Sequence, residues 1–175
     1  DRSRTDLVRR HTHRFLMAIY ESGYDDWPKM PVLIDWNLGN FSVAFDADDP
    51  GSFRLYSRWD YDWFRIESRL LDFYFLSRVS SRTGDRTSFT YGAHTLLEPR
   101  FRRFLRAYHA EYPLTPEEVL FLKEAYRFFL LNYVVREGRH FFRHDFWQHL
   151  LHDAVDVHLP NLDAVDLRPL LDELG

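Results

Sequence analysis

The chain has 175 residues, of which 45% are apolar and 18% aromatic, and a formal net charge of −4. It is long enough for one domain with a real core and too apolar for disorder. The negative balance argues against a nucleic-acid partner, and the absence of cysteine excludes disulfides, thiol catalysis and Cys-based zinc sites. With no apolar run of about 18 residues and no signal-peptide pattern, no membrane partner is expected and the expected location is cytoplasmic.

Residues 6–22 predict a helix. Leu7, Phe15 and Ile19 recur at roughly helical spacing with Arg9, Arg10, His11 and Arg14 between them, and Ser3 or Thr5 is placed to cap it. His11 and His13 lie two apart, cannot share a helix face, and are expected at the surface. Gly23 is a stop signal, and Asp25-Asp26-Trp27-Pro28 is a loop. A short buried strand is expected at 32–34, then a polar turn at 35–40, then a strand at 41–45. Residues 46–52 form a turn by composition, and 53–59 return as a strand. Phe53, Leu55 and Ser57 lie on one face of it, and Arg54, Tyr56 and Arg58 on the other. This hairpin carries Asp60 back towards Asp35 and Asn40.

Residues 65–82 predict a helix with Ser68 as N-cap and an apolar stripe of Leu71, Phe75 and Val79. Residues 80–95 are expected as a loop carrying Gly84 and Gly92. A helix at 98–112 turns Phe101, Phe104, Leu105 and Tyr108 to one side. Thr115-Pro116-Glu117-Glu118 is a helix start, with a Thr cap, Pro at the first position and Glu three after the cap. That helix is expected to run to about Glu137 and stop at Gly138. Further helices are expected at 141–154 and at 161–174, the last weakened by Pro169. No internal repeat, low-complexity tract or domain boundary is visible. The order predicts one α+β, mostly α domain over 1–175, with helices around a small β-hairpin.

Asp35, Asn40 and Asp60 converge in this reading. Oxygen donors on adjacent turns suit a hard cation such as Mg²⁺, completed by phosphates and water. A further Asp beside that cation, free to take a proton from a hydroxyl, is the phosphoryl-transfer arrangement. Other polar clusters carry less. His140 and His144 have the helical spacing of a two-His metal pair, with His149 and His152 following, but no Glu completes a zinc-protease pattern. With Arg139 and Arg143 they read as a solvated or substrate-facing stripe. Asp46, Asp48 and Asp49 lack EF-hand spacing and read as a solvated turn. Most of Trp27, Trp36, Trp59, Trp63 and Trp147 read as core, as do Phe128-Phe129 and Phe141-Phe142. Trp36 and Trp63 adjoin the candidate acids, where an aromatic wall would suit an amine.

Asp35-Trp-Asn-Leu-Gly-Asn40, followed by apolar residues, resembles the catalytic loop of the aminoglycoside phosphotransferase and choline kinase superfamily. That loop reads His-Gly-Asp, three variable residues, then often Gly-Asn and a strand. Trp59-Asp60-Tyr61-Asp62 is similar to the family's Ile-Asp-Trp-Glu metal motif. The family's second Asp, twelve residues further on, finds its match in Asp72 within Arg69-Leu-Leu-Asp-Phe. Phe104-Leu-Arg-Ala-Tyr108 and Tyr112-Pro-Leu-Thr-Pro-Glu-Glu118 are similar to its helical region. The resemblance runs from about the first helix to about Gly138.

The resemblance implies a kinase-like C-terminal lobe. In it Asp35 is the catalytic base, Asn40 and Asp60 hold Mg²⁺, and Asp72 bonds the catalytic loop from below. Asp62 is a candidate for a direct contact to the metal or one through its ligands, and Trp36 and Trp63, by adjoining the acids, are candidates to face substrate. It implies ATP as co-substrate and, as partners, a small-molecule hydroxyl substrate and an ATP-binding N-terminal lobe of the same protein. No nucleotide loop or paired strand Lys is found in the chain, which is therefore expected to be the C-terminal lobe alone. Leu33 and Ile34 stand where the family has His and Gly, and Ser57-Arg58-Trp59 replaces its usual apolar run. The expected function is transfer of the ATP γ-phosphate to a hydroxyl of a small metabolite such as an amino alcohol, an aminoglycoside or a homoserine-like compound. A non-catalytic kinase-like binding module and a helical interaction domain are the alternatives.

Overall fold

Local chemistry sets most of the helix boundaries. The structure, a computed structural model, describes residues 2–36, 38–49, 51–74 and 92–175, apart from the side chains of Leu38 and Ala93. Helix α1 spans Arg2–Glu21, so Ser3 and Thr5 lie inside it and do not cap it. Gly23 follows with φ 65°, the left-handed turn that glycine takes without steric cost at a helix end.

Four short strands come next: β1 Lys29–Val32, β2 Phe41–Phe45, β3 Phe53–Arg58 and β4 Arg65–Ser68. β2 and β3 form the expected antiparallel hairpin, with Phe41 opposite Arg58, Phe45 opposite Phe53, and a bulge between Ser42 and Val43. β1 begins earlier than expected and includes Pro31. A proline is tolerated there because the ladder has only two strands and one edge needs no N–H. Its partner is β4, antiparallel, from Lys29 opposite Ser68 to Val32 opposite Arg65.

The first part of the helix expected at 65–82 is therefore a strand. Pairing with β1 wins over helical periodicity at Arg65-Ile-Glu-Ser, and Lys29 Nζ bonds Glu67 across the ladder at 2.7 Å. Ser68 does act as a cap, but of a 3₁₀ helix, Arg69–Phe73, by accepting from Leu70 N at 3.3 Å. Phe75 and Val79, and the loop at 80–95 as far as residue 91, lie outside the described residues. Residues Ala93–Leu97 form a 3₁₀ helix where a loop was expected.

The remaining chain is helical. α2 is Pro99–Glu111, and α3 is Pro116–Phe128 with both halves of the Thr115–Glu118 capping box formed. α3 continues in π geometry over Phe129–Arg136, and a single turn, Gly138–Phe141, follows. α4 is His144–Asp153, prolonged by a π stretch Ala154–His158 and a last turn Leu159–Leu162. The final helix, α5, is Arg168–Leu174. The single helix expected at 161–174 is thus two pieces, and Pro169 opens the second instead of weakening it. At the first turn the missing N–H would have no partner in any case.

The core lies between α1, α2, α3 and the strands. Val32, Leu70, Phe101, Leu105, Leu122, Phe129 and Leu159 are fully buried, each contributing about 2 kcal/mol by removal from water. Two aromatic expectations fail: Trp59 is 47% exposed and Phe141 53% exposed. His11 is also corrected, since it is buried on α1 while His13 is exposed. The described architecture is mostly helical with two two-stranded antiparallel ladders, and among the described residues no helix is long and apolar enough to cross a membrane.

Candidate active site

The two ladders are nested, with β2–β3 inside the chain segment that β1 and β4 close. Two connections, 33–40 and 59–64, therefore both run between the ladders and emerge together. This topology places Asp35 and Asn40 on one connection and Asp60, Asp62 and Trp63 on the other.

The first connection is held in a backbone that its sequence does not favour. Ile34 has φ 60°, a left-handed conformation that is costly for a β-branched residue. Tight local bonds follow, from Asp35 N to Leu33 O at 2.7 Å and from Trp36 N to Ile34 O at 3.2 Å. Asp72 Oδ1 accepts from Leu33 N at 2.8 Å and from Ile34 N at 2.9 Å. A carboxylate taking two adjacent amides is a charge-assisted clamp, and it holds the strained turn directly before Asp35. Ile34 is itself buried, so its amide would otherwise lack water as a partner.

Asn40 ends the first connection. It is 8% exposed, and its amide Nδ2 is buried with no acceptor among the described residues. The second connection starts beside it, because Trp59 N donates to Asn40 O at 3.1 Å. Asp60 follows at once, exposed, with φ 64°. Two non-glycine residues in left-handed backbone, one before Asp35 and one at Asp60, mark this as the strained part of the described chain. Such strain concentrates at functional sites. Asp62 is exposed on the following turn. Trp63 packs among Tyr74, Tyr133 and Phe141 with centroid separations of 6.4, 5.8 and 6.2 Å.

The donor set fits a hard divalent cation. Asn40 offers an amide oxygen and Asp60 a carboxylate, both hard ligands of the kind Mg²⁺ takes in small number when phosphates and water complete its shell. Among the described residues no group of three or more His, Asp or Glu side chains is placed to hold a metal ion. The His140–His152 stripe is exposed.

Arg58 is a site residue that the sequence reading did not single out. Its Nη2 donates to the backbone oxygen of Asp35 at 3.0 Å. The signal was present in outline, since an arginine stands two residues before Asp60 where the resembling family has an apolar residue. Beside the loop lies a cavity of about 60 Å³ lined by Ile34, Trp63, Arg65, Leu71, Tyr74, Phe128 and Asn132. Arg65, Leu71 and Phe128 also line a second, mostly apolar cavity of about 230 Å³ that reaches Phe15 and Tyr24. Tyr74, in the wall of the first cavity, is almost wholly buried. Burial pushes its phenol well above the usual range, and Asn132 Nδ2 donates to it at 3.2 Å. The protein was compared with family models, curated proteins and solved structures, and none of them matches it.

Proposed function

We propose that this chain is the kinase-like C-terminal lobe of a small-molecule phosphotransferase, with Asp35 as the base that orients and deprotonates an acceptor hydroxyl. The observation that carries the reading is the Asp72 clamp on the Leu33 and Ile34 amides. The resemblance assigns Asp72 the task of supporting the catalytic loop from below, and two hydrogen bonds to the residues preceding Asp35 are the geometry that task requires. The Asp35-x4-Asn40 spacing on a turn, with Asp60 returned by a hairpin, supports the same reading. In kinase-type sites the loop Asp accepts the hydroxyl proton, and an Asn five residues on and a later Asp hold the metal.

In this mechanism the acceptor oxygen gives its proton to the Asp35 carboxylate and forms a bond to the γ-phosphorus of ATP. The bond from that phosphorus to the β–γ bridging oxygen breaks, and its electron pair leaves with ADP. Asn40 and Asp60 would hold Mg²⁺, which when bound neutralises phosphate charge. The chain's own contribution is positional. Asp72 and Arg58 fix the backbone on either side of Asp35, and the nested ladders fix Asp60 beside Asn40. ATP would bind between this lobe and an N-terminal lobe of the same protein. The acceptor is a small molecule with a hydroxyl, and the aromatic and Arg-containing cavities next to the loop suit either an amine or an anionic group on it.

Leu33 favours a second reading, a non-catalytic binding module of the same fold, because it removes the loop-orienting His of the resembling family. Asp35→Ala in the full-length protein separates the two. The enzyme reading expects phosphate transfer to fall by about three orders of magnitude, the scale of losing a group that acts in the transition state, while nucleotide binding persists. Undiminished transfer in that variant contradicts the assignment of Asp35. Nucleotide binding without turnover in the parent protein selects the binding module.

A further inference from the structure

We propose that Arg58 is a positioning residue, a guanidinium clasp between two aromatic rings that holds the Asp35–Asn40 connection in register with Asp60. Its role in catalysis rests on the phosphotransfer reading; its role in geometry does not. The Arg58 guanidinium lies 5.4 Å from the Phe41 ring centroid and 4.7 Å from that of Tyr61, both within cation–π range. Trp36 stacks on Phe41 at 5.7 Å and 17°. Trp36, Phe41, Arg58 and Tyr61 thus form one contiguous group.

Each of the three rings is a chain neighbour of a candidate site residue. Trp36 follows Asp35, Phe41 follows Asn40, and Tyr61 follows Asp60. The Arg58 Nη2 bond to Asp35 O at 3.0 Å ties the group to the loop backbone. The Tyr61 hydroxyl closes it by donating to Arg58 O at 3.3 Å.

The guanidinium's other donors support this role. Arg58 Nε and Nη1 are buried with no hydrogen-bond acceptor among the described residues. A buried donor facing neither water nor an acceptor is costly, and here cation–π attraction to the two neighbouring rings offsets part of that cost. Lysine could not do the same, since it lacks the planar face that two rings can sandwich. The family that the sequence resembles orients this loop with a His where Leu33 stands. Leu33 offers no hydrogen bond from its side chain, whereas Arg58, the last residue of β3 before the second connection, donates from its side chain to the backbone of the first.

The test is amide hydrogen exchange on the full-length protein, read over residues 33–42 and 57–62. Arg58→Met keeps the length of the side chain and removes the guanidinium. Exchange in both segments is expected to rise by at least about tenfold, with α2 and α3 unchanged as an internal check that the fold persists. Tyr61→Leu, at an exposed position, removes one ring and is expected to give a smaller rise in the same two segments, covering the case in which Arg58→Met does not fold. The double variant is expected to match Arg58→Met alone, because the two residues act as one unit. Arg54→Met, on the same strand and exposed, is expected to change neither segment. Unchanged exchange in Tyr61→Leu and in a folded Arg58→Met, or a rise confined to 57–62, overturns the clasp.

Mn²⁺ binding in the presence of ADP adds the functional readout. Wild type is expected to bind, and Arg58→Met to bind about tenfold more weakly. Equal affinity in the two overturns the clasp's bearing on the site. Failure of wild type to bind Mn²⁺ overturns the phosphotransfer reading instead, and the exchange data still decide the clasp.

Discussion

His11 shows what one residue's surroundings do to its chemistry. It is 2% exposed on α1 and its Nδ1 meets Nη1 of Arg127, itself buried on α3. Arg127 in turn bonds Glu124 at 2.7 Å and Asp163 at 3.0 Å. Burial, and then the neighbouring Arg127 charge, lower the His11 pKa from 6.5 to about 4. The folded state therefore refuses a proton that the unfolded chain accepts. The stability this group contributes is complete above pH 6.5 and is lost as the pH falls from 6.5 towards 4, by up to about 3 kcal/mol. Asp163 is lowered as well, by Arg127 and Arg14 against the opposing effect of its burial, but from a starting value of 3.8, so its loss comes at more acid pH. His11→Gln is expected to flatten the dependence of the urea midpoint on pH between 7 and about 4.5; an unchanged slope contradicts the assignment. The position was partly legible, since His11 falls four residues from both Leu7 and Phe15, on the face that α1 buries. Two-residue spacing from His13 says only that the pair diverges, not that both face water. Asp72 was singled out only through the resemblance, whose second Asp follows the first by the same interval. The partner of Arg58 was not, because no local period encodes which backbone carbonyl a strand-end arginine will reach.

At the scale of elements, α3 links helix capping to the candidate site. Thr115 and Glu118 cap each other's backbone, with Glu118 N donating to Thr115 Oγ1 at 3.2 Å and Thr115 N to Glu118 Oε2 at 2.8 Å. The same carboxylate accepts from Arg69 Nε at 2.8 Å, and Arg69 opens the 3₁₀ helix that carries Asp72. Glu118 thus anchors the element that clamps the connection carrying Asp35. Thr115→Ala is expected to cost about 1 kcal/mol, the worth of a cap. Glu118→Ala is expected to cost about 3 kcal/mol, since it also leaves a mostly buried guanidinium without its carboxylate. Urea denaturation of both variants measures the difference, and equal losses would show that the Arg69 pair contributes nothing. The capping box was readable because its chemistry is local. β4 was not: Arg65-Ile-Glu-Ser becomes a strand only through pairing with β1, more than thirty residues earlier. The π stretches that continue α3 and α4 leave no mark in an apolar periodicity either.

For the whole molecule, the order of helix, hairpin and further helices followed from sequence, and the hairpin alone was enough to bring Asp60 near Asn40. The second ladder, β1 with β4, was missed, yet it makes the arrangement rigid by closing both ends of the segment that holds the two connections. Strain at Ile34 and Asp60 is sustainable because that closure and the Asp72 clamp over-determine the backbone around them. Under the proposed function, Asp35, Asn40, Asp60 and Asp72 form one unit serving phosphate transfer. The most direct measurement of that claim follows label from γ-³²P-ATP into small hydroxyl compounds in the presence of Mg²⁺, comparing the full-length protein with Asp60→Asn. Labelled alcohol product is expected with the parent protein and at least a hundredfold less with Asp60→Asn, on the scale of losing a metal-holding group in such a site. Transfer at the parent rate in Asp60→Asn would contradict that claim.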